Sequence, residues 1–316
     1  MPHKSLVLLA LLSVVAASAN ARPYAFITNQ LDNSVSVIDT EQQKVVKTIA
    51  VTGKPAGVAV NPPHQQIYIS TPEGGGFIVI DKNSFKIQNT IKVGGASLGI
   101  AVDKAGGHLF VADWYENTVA VFETQTFKKT AVLSVGKSPS GMTISPDDKW
   151  LYVANRIDDS VSQIDLKKLT VRNTTKVGAH PFGIAMDREG KRLYTANVES
   201  NDVTVLDGQS LKRITTIKVG ARPYAVTLAK KDSLLLVTNQ DDGTVSVIDT
   251  TSLKTLKEIQ VGDKPEGISA EPEGRFVYVA NWFDNNVSVI DTQTLEVINT
   301  IATGEGSRAF GEFISP

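Results

Sequence analysis

Residues 150–165 read Trp-Leu-Tyr-Val-Ala-Asn-Arg-Ile-Asp-Asp-Ser-Val-Ser-Gln-Ile-Asp, and residues 276–291 read Phe-Val-Tyr-Val-Ala-Asn-Trp-Phe-Asp-Asn-Asn-Val-Ser-Val-Ile-Asp. The two stretches are copies of one unit that returns every 42 residues along the chain. The asparagine at the centre recurs as Asn29, Asn155, Asn197, Asn239 and Asn281, with Thr71 and Asp113 in the two gaps. The closing acid recurs as Asp39, Asp81, Glu123, Asp165, Asp207, Asp249 and Asp291. Seven copies without an insertion or deletion define a repeat protein before any other reading is attempted.

Each unit divides into four β-rich segments, in the fourth copy Pro139 to Ile144, Trp150 to Asn155, Ser160 to Asp165 and Thr170 to Val177. The segments have strand length, and the Gly, Pro, Asp and Asn gaps between them have hairpin length. No apolar pattern at i, i+3, i+4 and i+7 runs through the repeats, so the chain is all-β. A four-stranded unit of this size is one propeller blade, which cannot bury its two apolar faces alone. Covering both faces with neighbouring blades accounts for unbroken apolar runs such as Leu151-Tyr152-Val153-Ala154. An open solenoid would need polar caps, and neither end supplies one. The first unit holds only three segments (Tyr24 to Asn29, Ser34 to Asp39, Lys44 to Val51), whereas the chain ends on a lone first-segment copy, Ser307 to Ile314. The expected architecture is therefore a seven-bladed β-propeller over residues 22–316, closed by pairing the C-terminal strand with the N-terminal strands.

The segments Tyr152-Val153-Ala154-Asn155 and Tyr278-Val279-Ala280-Asn281, with Asn286-Val287-Ser288-Val289-Ile290-Asp291 and Thr300-Ile301, resemble the YVTN family of β-propeller repeats over nearly the whole chain. In size and blade count the chain looks like the YncE-type periplasmic members. The resemblance implies a propeller used as a binding or scaffolding surface, with relatives among surface-layer proteins and as non-cofactor subunits of periplasmic amine dehydrogenases. It implies no catalytic motif.

Residues 1–21 read as a secretory signal: Lys4, then an apolar run from Leu6 to Ala17, then Ala19-Asn20-Ala21 as a cleavage site. Maturation is expected to leave Arg22 at the N-terminus, in the periplasm, and the apolar run is too short to span a membrane. There is no cysteine, which excludes disulfides, thiol catalysis, a lipoprotein anchor and covalent haem attachment. Without Lys4 the chain carries 31 basic and 33 acidic residues, a balance that calls for neither nucleic acid nor an anionic membrane. Beyond the signal only His64, His108 and His180 remain, without metal-ligand spacing, so no metal and no cofactor are expected. The seven repeated acids belong to seven blades and cannot converge, which makes them turn residues accepting local N–H bonds.

A site on a repeat protein lies where the copies differ. They differ around the repeated proline, which leads into the innermost strand and so rings the channel mouth. Lys54, His180, Arg222, Lys264 and Arg308 make that mouth basic, with Lys137 and Arg156 nearby and Tyr224, Phe182 and Glu266 beside them. Asp32, Glu116, Asp158, Asp241, Asp242 and Asp284 form an acidic collar farther out, and Trp114 and Trp282 supply aromatic anchors on two loops. The preferred reading is a monomeric binding or scaffold module whose partner is a protein or a small anionic ligand seated on these residues. The enzymatic alternative, a lactonase or lyase, places His180 as acid or base, Arg222 as oxyanion clamp and Glu266 as its charged partner. A third alternative is a non-cofactor subunit of a periplasmic redox complex. Single-stranded nucleic acid stacking on Trp114 and Trp282 is disfavoured by the net charge.

Overall fold

The computed structural model describes residues 23–315, so the expected signal segment lies outside the described residues. Seven sheets form the ring, six antiparallel sheets of four strands and one of five that includes a parallel pair. Within a blade the chain runs from an inner strand at the axis through a second and a third to an outer strand. Blade 4 shows the plan, with Pro139–Ile144, Trp150–Asn155, Ser160–Asp165 and Thr170–Lys176. The second and third strands are buried over most of their length, whereas outer strands such as Lys254–Gln260 expose nearly every residue. Lysine and threonine on those outer edges discourage pairing with another chain.

Blade 1 is assembled from both ends of the chain. Ile314–Ser315 pairs with Tyr24 and Ala25, Ser307 bridges to Asn29, and the amides of Phe26 and Arg308 donate to Phe313 and Thr28 at 2.9 and 2.8 Å. Ring closure is therefore as the repeats imply, with one difference. The segment expected as a single strand from Ser307 to Ile314 is broken in the middle, where Phe310–Gly311 leaves blade 1 and pairs in parallel with Gly57 and Val58 of blade 2. Gly311 takes a left-handed φ of 98° at this break, a conformation glycine adopts without strain. On its other side the segment is fastened to blade 7, because the Gly267 amide donates to the Arg308 carbonyl at 2.9 Å. The closing strand thus crosses toward the axis and touches three blades.

The two repeated polar sets are structural. Carboxylates of Asp39, Asp165, Asp207, Asp249 and Asp291 accept backbone N–H groups two or three residues on, as Asx turns do. Asn29, Asn155, Asn197, Asn239 and Asn281 are fully buried, and each Nδ2 donates to side chains five and seven residues later on the third strand. Fully buried second-strand tyrosines join blade to blade: the Tyr152 hydroxyl donates to Gly208 of blade 5, and that of Tyr278 to Thr40 of blade 1 at 3.1 Å. At the axis the inner strands approach until a Cβ on Gly99 would stand 1.9 Å from the Ser140 carbonyl oxygen, so only glycine fits there.

Candidate functional site

The pairing of Pro139 with Asn155 puts the start of the inner strand and the turn after the second strand at one end of the blade. Two rings of side chains therefore meet at that mouth. The first is the residue after the repeated proline position: Ala56, Leu98, Ser140, Phe182, Tyr224, Glu266 and Arg308. The second is the residue after the repeated asparagine position: Gln30, Pro72, Trp114, Arg156, Val198, Gln240 and Trp282. The inner ring is lopsided. The shorter side chains on blades 2 to 4 leave space that the four longer ones, Phe182, Tyr224, Glu266 and Arg308, approach from the other side. The result is a cavity of about 420 Å³ walled by Leu98, Trp114, Phe182 and Tyr224 and bounded by Arg156, Gln240, Glu266 and Arg308. Phe182 stacks on Tyr224 at 4.0 Å, and Phe310 of the closing strand meets Phe182 edge-on at 5.3 Å.

Inside the mouth the charges are unequal. Arg308 Nε stands 2.8 Å from Glu266 Oε2, although the N–H is not directed along that line, and Arg308 Nη2 donates to the Tyr224 hydroxyl at 2.7 Å. Gln240 Nε2 donates to the other Glu266 oxygen at 2.9 Å. Burial raises the Glu266 pKa above the usual carboxylate range, against the opposing pull of Arg308 and Gln240. Burial likewise pushes the Tyr224 hydroxyl up to about 12. Arg156 is different. Its guanidinium lies 6.0 Å from the Trp114 ring centre and 5.9 Å from that of Phe182, and among the described residues no carboxylate pairs with it. Burial lowers its pKa, with Arg222 and Arg308 repelling it and Tyr224 and Glu199 at longer range opposing the shift, yet a guanidinium stays charged at neutral pH.

Most of the basic residues expected at the mouth occupy an outer position. Lys54, His180, Arg222 and Lys264 precede the proline position with left-handed φ values of 56°, 55°, 53° and 51°. The side chains of Lys54, Arg222 and Lys264 reach the turn of the preceding blade, while His180 faces the turn of its own blade. Arg222 lies 2.8 Å from Glu199 and 3.8 Å from Asp241, Lys264 lies 2.6 Å from Asp241, and His180 Nδ1 lies 3.8 Å from Glu199. Lys54 Nζ donates to the Leu31 carbonyl at 3.1 Å. The acidic collar is thus interleaved with the basic ring rather than lying beyond it. Four of its members, Asp32, Asp158, Asp242 and Asp284, accept backbone N–H groups of the connections between blades.

The structure brings Tyr224, Glu266 and Arg308 together, with Trp114 across the cavity. Trp282 instead leans on Phe283 at 4.7 Å. His180 and Arg222 share Glu199, whereas Glu266 belongs to Arg308 and Gln240, so the three proposed catalytic residues do not form one bonded set. Gln240, Glu199 and Phe310 were not singled out from the sequence. Glu199 and Asp241 each precede their basic partner by 23 residues, a fixed offset along the repeat that the charges alone reveal. Among the described residues no three His, Asp or Glu side chains cluster closely enough to hold a metal ion. No helix there is long and apolar enough to cross a membrane.

Comparison with known proteins divides the chain. Residues 124–210 match the family described as lactonase, 7-bladed beta-propeller, and residues 219–309 match the cytochrome D1 heme domain. No curated protein sequence matches. Among solved structures, hydrazine synthase of Kuenenia stuttgartiensis superimposes with a TM-score of 0.73 at 19% identity, over 80% of this chain and 88% of that one. A functionally unknown protein from Desulfotomaculum acetoxidans gives 0.80 at 12% identity, over 92% and 98%. Dihydro-heme d1 dehydrogenase NirN in complex with DHE gives 0.69 at 15%, over 88% of this chain and 63% of that one. At such identities the likeness concerns the fold. The chain is a seven-bladed β-propeller similar in part to lactonases and in part to cytochrome D1 domains.

Proposed function

We propose that the protein is an exported, periplasmic binding propeller that holds a carboxylate- or phosphate-bearing ligand in the axial cavity. The observation that carries this reading is Arg156, a cation at an aromatic-walled cavity with no carboxylate partner among the described residues. A guanidinium so placed offers paired N–H donors to a planar anion, and Trp114, Phe182 and Tyr224 offer apolar contact. Arg308 and Glu266 hold each other and shape the wall. Lys54, His180, Arg222 and Lys264 set the field around the rim.

Aromatic carboxylates such as benzoate and phenylacetate are suitable probes in calorimetric titration. Arg156→Gln is expected to weaken them at least ten-fold, about 1.4 kcal/mol, while Arg222→Ala with Lys264→Ala costs about three-fold or less because those charges are already paired at the surface. Wild-type affinity should fall with salt as the Debye length drops below about 8 to 10 Å. Equal binding by wild type and Arg156→Gln would remove the cavity as the site. Export predicts Arg22 as the first residue of the protein recovered from the envelope, measured by intact mass.

The lactonase match over residues 124–210, which include Arg156 and His180, favours hydrolysis as the second reading. Lactone turnover abolished by His180→Ala would establish it, and the absence of turnover across a lactone series would leave binding as the function.

A further inference from the structure

One residue beyond the second ring, at the tip of each turn, the chain carries Leu31, Glu73, Tyr115, Ile157, Glu199, Asp241 and Phe283. Turn tips favour polar residues, yet four of these seven are large and apolar, with exposures of 47% for Leu31, 74% for Tyr115, 50% for Ile157 and 54% for Phe283. They fall on two arcs: Phe283 and Leu31 on blades 7 and 1, Tyr115 and Ile157 on blades 3 and 4. The second arc is continuous with the cavity. Tyr115 follows Trp114 and lines the cavity itself, and Ile157 follows Arg156. A small molecule held between Arg156 and the aromatic wall has no use for apolar groups standing above the rim.

We infer that the ligand is a segment of a partner protein in which a carboxylate is flanked by apolar side chains. The inference rests on the binding reading above and names the class of its ligand. The carboxylate meets Arg156 inside the mouth, where charge complementarity calls for an anion. The flanking side chains lie on Tyr115 and Ile157, which are desolvated only when a larger body sits on this face. Arg222 and Lys264 on the rim contribute little attraction, being matched by Glu199 and Asp241. Selectivity then rests on one half-buried charge without a carboxylate partner and a surrounding apolar contact.

The test uses the full mature chain and an array of acetylated, amidated heptapeptides, each with a central Glu flanked by Leu, Phe or Tyr, together with their Gln-centred counterparts. The best Glu peptide is expected to bind at least ten-fold tighter than benzoate and than its Gln counterpart. Tyr115→Ser with Ile157→Ser should weaken that peptide at least ten-fold, and Ile157→Ser alone, outside the cavity lining, should weaken it while leaving benzoate affinity within two-fold, with unchanged melting temperatures confirming both folds. Peptides that never exceed benzoate, or that ignore the double substitution, overturn the inference while the small-anion reading stands. Loss of benzoate selectivity for Arg156 would strike at the binding reading itself. A concentration-dependent dimer abolished by the same double substitution would make a second copy of this chain the occupant and overturn the peptide proposal.

Discussion

Removal of residues 307–316 should lower the melting temperature by at least about 10 °C or abolish cooperative folding. The segment supplies the inner strand of blade 1 and the parallel pairing to blade 2, and it contributes Ala309, Phe310 and Phe313, all buried. Truncating one buried phenylalanine costs about 3 to 5 kcal/mol. Losing two, along with the backbone bonds of Phe26 and Arg308, removes several times the effect of an ordinary substitution. For a chain of this size, with an unfolding entropy of about 2.1 cal/mol/K per residue, each kcal/mol shifts the midpoint by about 1.5 °C. Phe313→Ala provides the graded control: its single side chain should give a drop between wild type and the deletion. An unchanged midpoint for the deleted chain, by calorimetry or circular dichroism, would mean that the ring does not depend on its closing strand.

The architecture was open to reading in the sequence because every blade faces the same physical demands. Strand two and strand three must be apolar on both faces, the turn after strand three must accept its own N–H groups, and the inner strand must be narrow. Those demands impose Tyr152-Val153-Ala154-Asn155, Asp165 and Gly141 in one blade and their counterparts in the others. Closure followed from the cut of the repeats. The departure of Phe310–Gly311 toward blade 2 did not, because crowding at the axis is a property of the assembled ring and leaves no mark in a lone terminal segment.

The site was legible as a set of variable positions, less so as a geometry. Arg222 and Tyr224 flank the same proline and looked equivalent. In the ring the left-handed φ of 53° at Arg222 directs its side chain to Glu199 and Asp241, while Tyr224 enters the axial stack with Phe182. Repeat alignment identifies where blades differ but not which way a backbone turn aims each difference. Arg156 carries the opposite lesson. It stood near the mouth as one basic residue among several, and only the pairing of the others leaves it as the cavity's cation without a carboxylate.

Replacing Arg308 should be among the costliest single changes in the wall of the site. Arg308→Met keeps the volume but leaves Glu266, itself buried, without its counter-charge, and stranding one member of a buried pair costs about 3 to 5 kcal/mol. The pH dependence identifies the cause. Burial already raises the Glu266 pKa, and without Arg308 to oppose it the value rises further. A carboxyl whose folded pKa lies above its unfolded value, about 4.3 for glutamate, favours the folded state when protonated and loses that contribution as pH rises through the folded pKa. Arg308→Met should therefore regain stability as pH falls from 7 toward 5, a direction wild type does not share to the same extent. Adding Glu266→Gln to Arg308→Met should restore much of the loss at pH 7 and flatten the profile, because the amide keeps its bond with Gln240 without a charge to bury. If Arg308→Met loses as much stability at pH 5 as at pH 7, the penalty comes from packing against Tyr224 and Phe310, and the ion pair is not what holds the wall.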